Sequence, residues 1–196
     1  MKFINQLIMI IVVSLFINTS INAQVNPYSQ VDTNSLESIR LDYYASLEDD
    51  DVLDKLVNTI EIKYGKDAQK YPILIKAYYG GLLSIKSRNA FWPFTKLGYF
   101  NDSMELLSKA VEQSPENLEI RFIRFAILHH IPGFLGHSIE KQEDAEKIYS
   151  LIQKKDYTFI NSEIQQGIAE FLVSTERISK DKINNLLKIY PQLALK

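Results

Sequence analysis

The chain has 196 residues, 46% of them hydrophobic and 23% charged, with 22 basic and 24 acidic side chains and a net charge of −2. That length suits one domain with a core able to stand alone, and the charged fraction is that of a globular protein, not a disordered or fibrous one. The slightly acidic balance excludes general nucleic-acid binding, and the lack of cysteine excludes disulfides, thiolate zinc sites, cysteine nucleophiles and a lipidated N-terminal cysteine.

The first segment has the pattern of an export signal. Met1-Lys2 is a short basic start, Leu7 to Ile17 is apolar except for Ser14, and Asn18-Thr19-Ser20 is polar. Ile21-Asn22-Ala23 then ends on a small residue, so residues 1–23 are predicted to be a secretory signal peptide cut after Ala23. The mature chain is thus expected in the periplasm or the medium. A span needs about 20 apolar residues, and Asn5 with Gln6 shortens this run below that, so no stable membrane span is expected after cleavage. Residues 24–33, with Pro27 and several polar groups, read as a flexible leader to one all-helical domain over residues 34–196.

From Asn34 the apolar spacing is helical almost throughout. Leu36, Ile39, Tyr43 and Leu47 fall three and four apart, with Asn34 and Glu37 placed as a capping pair. Asp50 is placed to cap a second helix, with the stripe Leu53, Leu56, Val57, Ile60 and Tyr64, and Gly65 stops it. Pro72 sits at a first helical turn, and Gly80-Gly81 in mid-helix calls for the close approach of a neighbour or a kink. Asn89 to Gly98 interrupts the pattern, and helix is expected to resume near Tyr99 and run to Gln113. Ser114-Pro115 then opens a helix to about Ile131, ended by Pro132-Gly133. Three more follow, at about 139–154, 159–175 and 180–190, the last capped by Ser179. No stretch alternates as a half-buried strand does, so the fold class is all-α with about eight helices.

The segment Tyr99 to Asn117 carries Phe100, Ser103, Leu107, Ala110 and Pro115 at the positions of the second helix of a tetratricopeptide repeat. Small residues stand where two helices touch, and the proline starts the next helix without losing a bond. The chain therefore resembles the tetratricopeptide-like helical superfamily over one partial repeat. Upstream, the loop around Trp92 replaces the end of a first helix, and no period of about 34 residues recurs. The resemblance implies antiparallel helix pairs stacked as a short solenoid or irregular bundle, binding a protein or peptide partner without catalysis or cofactor.

Several residues invite a chemical reading. His129, His130 and His137 are the only histidines, with Glu140, Glu143 and Asp144 nearby, so a metal site or small enzyme is an alternative. Adjacent helical residues point about 100° apart, which argues against a shared ion. Gly136-His137-Ser138 begins like a hydrolase nucleophile elbow but lacks its last glycine and its sheet. Arg121 and Arg124 share a stripe on a helix that is otherwise apolar over most of its circumference. They need partners, for which Glu105, Glu112 or the run Glu48 to Asp51 are candidates; otherwise they form a clamp for a partner's carboxylate or phosphate. The loop Phe91-Trp92-Pro93-Phe94, with Tyr99 and Phe100 after it, forms the densest aromatic patch, expected to tuck between helix pairs, or, if exposed, to dock a partner. Asn101-Asp102-Ser103 is a glycosylation-type triplet on a predicted helix. The reading that emerges is an exported interaction or scaffold module, with Trp92, Phe94, Arg121 and Arg124 as its candidate contacts.

Overall fold

A computed structural model describes residues 26–195, and the signal-peptide reading of residues 1–23 lies outside them. Among the described residues there is no strand, and the predicted helices are all present. They are α1 (Thr33–Ala45), α2 (Asp50–Tyr64), α3 (Ile73–Asn89), α4 (Pro93–Gln113), α5 (Leu118–His130), α6 (Ser138–Ile152), α7 (Ser162–Ser174) and α8 (Lys180–Ile189). No described helix is long and apolar enough to cross a membrane.

Boundaries differ from expectation where caps compete. Asp32, not Asn34, opens α1, its carboxylate accepting the Ser35 N–H at 2.9 Å. Asp49, not Asp50, opens α2. Because proline loses no bond at a first turn, α4 begins at Pro93 and the expected interruption shrinks to Ala90–Trp92. Asn117 accepts the Ile120 N–H at 2.9 Å, so α5 starts at Leu118 and not at Pro115. Asn161 caps α7 in the same way, leaving Phe159 outside it. Gly65, at φ 86°, ends α2 as expected, and Ser179 caps α8.

The supposedly flexible leader is seated from Pro27 onward. Pro27–Gln30 forms a short 3-10 turn, Tyr28 stacks on Phe159 with ring centroids 4.1 Å apart, and the Gln30 side chain accepts the Ile73 N–H at 3.0 Å. An aromatic ring and a paired amide supply what loose polar residues would have lacked.

Helices α3 and α4 form an antiparallel hairpin. In α3–α4, Lys76 donates to Gln113 at 3.1 Å near one end, and Lys96 donates to the Arg88 carbonyl at 2.7 Å near the other. A Cβ on Gly80 would sit 3.0 Å from Leu107 Cγ, and one on Gly81 would sit 2.7 Å from the Tyr43 ring. The glycine pair therefore serves close approach: one glycine admits α4, the next admits α1. Two apolar clusters result, one around Leu74, Leu82 and Leu107, the other around Ile148, Ile152 and Leu172. Helix α5 feeds both, Ile120 and Leu128 entering the first and Phe125 the second, as its all-round apolar surface predicts.

Candidate functional site

Alternate helices α1, α3, α5 and α7 run in the same direction around one cavity of about 980 Å³. Arg40, Tyr78, Glu119 and Ile160 lie together at one end. Leu47, Arg88, His130 and Phe171, further along the same stretches, surround the other. There the Arg88 guanidinium donates to the Leu47 carbonyl at 2.6 Å, and the His130 and Phe171 rings lie 6.0 Å apart. Between the ends the wall is apolar, with Ile85, Phe100, Ile123, Ile127, Ile164 and Ile168.

The narrow end is shut by one guanidinium. Arg40 Nε and Nη2 donate to the two oxygens of Glu119 at 2.6 and 2.7 Å, and Nη2 also reaches the Phe159 carbonyl at 3.3 Å. Helix α1 and the connector after α6, which form opposite walls, meet at that point. The Tyr78 hydroxyl completes the group by donating to Glu119. Burial works against the Arg40 charge, but the Glu119 carboxylate overrides it and holds the guanidinium above its usual range. Burial, reinforced by Glu119, pushes the Tyr78 phenol well above its ordinary value, and burial does the same to Tyr43 and Tyr28. The phenols at this end are thus hydrogen-bond donors, and the carboxylate is already engaged. Sequence reasoning missed the pair, although Arg40 shares the stripe of Leu36 and Tyr43 and Glu119 precedes Ile120 on the central helix. A charge within an apolar stripe was the available signal.

The mouth is different. Arg88 and Lys96 are exposed there, and they donate to neutral oxygens of Leu47, Asn89, Ser87 and Arg88. Among the described residues, Glu119 is the single acidic one lining the cavity, at its far end.

The aromatic patch divides: Phe100 is buried and Tyr99 half-buried against the core, whereas Phe91, Trp92 and Phe94 do not tuck in and are 83%, 68% and 90% exposed. Early initiation at Pro93 leaves a connector of three residues, too short to fold the rings back beneath the hairpin. Arg121 and Arg124 are buried on the opposite side of α5 from the cavity, and their partner is none of the acids expected. Both grip Asp144 of α6: Arg121 Nη1 at 2.7 Å, Arg124 Nε at 2.7 Å and Arg124 Nη2 at 2.8 Å. A carboxylate with no solvent contact leaves neither guanidinium turned toward a clamp.

The histidines are divided. His129 lies against Phe125 and Phe171, its Nδ1 buried without a partner, and burial together with His130, Arg177 and Lys141 holds its pKa below the ordinary value. His137 packs edge-on to Phe100 and faces Glu140 at 3.3 Å. Among the described residues no three potential ligands gather as a metal ion requires. Ser103 of the glycosylation-type triplet is fully buried, its backbone carbonyl pressed against Gly80. Compared with protein-family profiles, with curated proteins and with solved structures, the chain finds no match.

Proposed function

We propose that the chain is an exported helical interaction module that docks a protein partner through the aromatic knuckle at the α3–α4 turn. The observation that carries this reading is the joint exposure of Phe91, Trp92 and Phe94. Rings dominate the energy of protein interfaces and are seldom left in water as a group. Phe91 and Trp92 already meet edge to face at 5.1 Å, so little freedom is lost when a partner covers them. Beside them, Asp50, Asp54 and Lys86 line a dent with Trp92, Lys86 pairing Asp54 at 2.9 Å and leaving Asp50 as the acid nearest the rings. The complementary surface is an apolar pocket edged by basic groups. The alternation of inner and outer helices supports a tetratricopeptide-like arrangement, for which binding without chemistry is the ordinary role. The basic, apolar, polar order of residues 1–23 supports action in the periplasm or the medium. No observation favours the rival reading of a metal-binding protein or small enzyme.

A photoactivatable phenylalanine at position 92, introduced in the native host, tests it. One adduct of fixed mass is expected in the extracytoplasmic fraction, abolished by Phe94→Glu, and N-terminal sequencing of the recovered chain should begin at Gln24. Equal labelling from exposed Ile62 on α2, or no adduct from position 92, overturns the proposal.

A further inference from the structure

We infer that the cavity framed by α1, α3, α5 and α7 is a binding site for a long-chain carboxylate, a free fatty acid entered tail first. Its shape comes first. Arg40 ties α1 to α5 and to the Phe159 carbonyl across one end of the cavity, which obstructs the passage of a helix or an extended peptide there. A flexible chain with one free end needs no such passage. Its volume, about 980 Å³, lies within the range of about 300–1,000 Å³ typical of small-ligand sites. Polarity comes second. The walls are mostly apolar, and Arg40, Tyr78 and Glu119 at one end satisfy one another. Charge decides the head group. Arg88 and Lys96 stand at the open end with spare donors and only neutral oxygens as partners. The acids from Glu48 to Asp51 line a neighbouring dent that Arg88 also borders, and none of them lines this cavity. A carboxylate placed between the two cations meets charge-assisted donors, while its chain leaves water along Ile85, Ile123 and Ile168.

The test is a titration of the purified, delipidated protein with cis-parinaric acid, a fluorescent eighteen-carbon fatty acid. Saturable one-to-one binding is expected, displaced by palmitate and at least ten-fold less well by methyl palmitate, which lacks the charge. Ala126→Trp fills the middle of the cavity and should abolish binding. Should that variant fail to fold, the exposed pair Arg88→Gln/Lys96→Gln decides: palmitate should weaken about ten-fold and methyl palmitate should not change. Absence of saturable binding, equal affinity for acid and ester, or survival of binding in folded Ala126→Trp overturns the inference. So does displacement of the probe by a synthetic peptide of residues 1–23, or by dimerisation, at lower concentration than palmitate; the occupant is then the leader or a second copy. Phe91, Trp92 and Phe94 do not line the cavity, although Pro93 between them does, and the two proposals have different readouts, so loss of either leaves the other standing.

Discussion

Asp144 is one carboxylate answering two buried guanidiniums, and its removal leaves both without a counter-charge. Breaking a buried pair from one side costs about 3–5 kcal/mol. Asp144→Asn keeps the shape and removes the charge, so urea denaturation at pH 7 should show a loss of that size. Glu112→Gln, on the exposed face of α4, should stay within about 0.5 kcal/mol. The need for a partner was legible, because two arginines on an apolar helix cannot remain bare. Its identity was not: Asp144 lies on the next helix, and spacing along a chain does not say which acid a neighbour turns inward. His129 gives a second residue-level prediction. Its folded pKa lies below the ordinary 6.5 because burial, His130, Arg177 and Lys141 all oppose a charge there. As pH falls through 6.5 the unfolded chain takes up the proton first, so stability present above that pH is lost on the way down to the folded value. The melting temperature should fall between about pH 7.5 and 5.5, and less steeply in His129→Phe. Equal slopes in the two proteins would remove His129 as the cause.

At the scale of the helix, the two glycines of α3 and the glycine of α7 make opposite claims. Gly80 admits the Leu107 side chain and the Ser103 carbonyl, while the space around Gly167 is open to 4 Å. Gly80→Ala should push α4 outward and cost about 1–3 kcal/mol, whereas Gly167→Ala should gain about 0.5–1 kcal/mol from helix propensity alone. Thermal melts of the two variants decide it, and a destabilised Gly167→Ala would show that the comparison misjudges α7. The helices themselves were legible because apolar residues three and four apart have few other uses. Their ends were not, since several adjacent side chains could cap: Asp32 and Asp49 won over Asn34 and Asp50. The aromatic patch went the other way from expectation for the same kind of reason. Placing the start of α4 at Pro93 instead of Tyr99 turned a loop with room to fold inward into a tight corner that presents its rings outward.

Across the whole molecule, two apolar clusters have to be held in one arrangement for the cavity between them to exist. Helix α5 joins them along their length, and Arg40 joins their far walls by reaching from α1 to Glu119 and to the Phe159 carbonyl. No sequence pattern encodes this, because the partners are 79 and 119 residues apart. The hydrophobic contribution and the joining contribution of the pair can be separated. Arg40→Met leaves Glu119 buried without a counter-charge, and should cost about 3–5 kcal/mol. Arg40→Met/Glu119→Leu replaces the pair by apolar bulk, and such exchanges are often neutral, so most of that loss should return. The joining does not return with it, since a methionine at position 40 cannot donate to the Phe159 carbonyl. Amide hydrogen exchange should therefore report faster opening over residues 153–161 and 26–32 in both variants, even where global stability is restored. Native-like protection of those segments in the double variant would mean that the Tyr28–Phe159 stack closes the narrow end by itself and that Arg40 only neutralises Glu119.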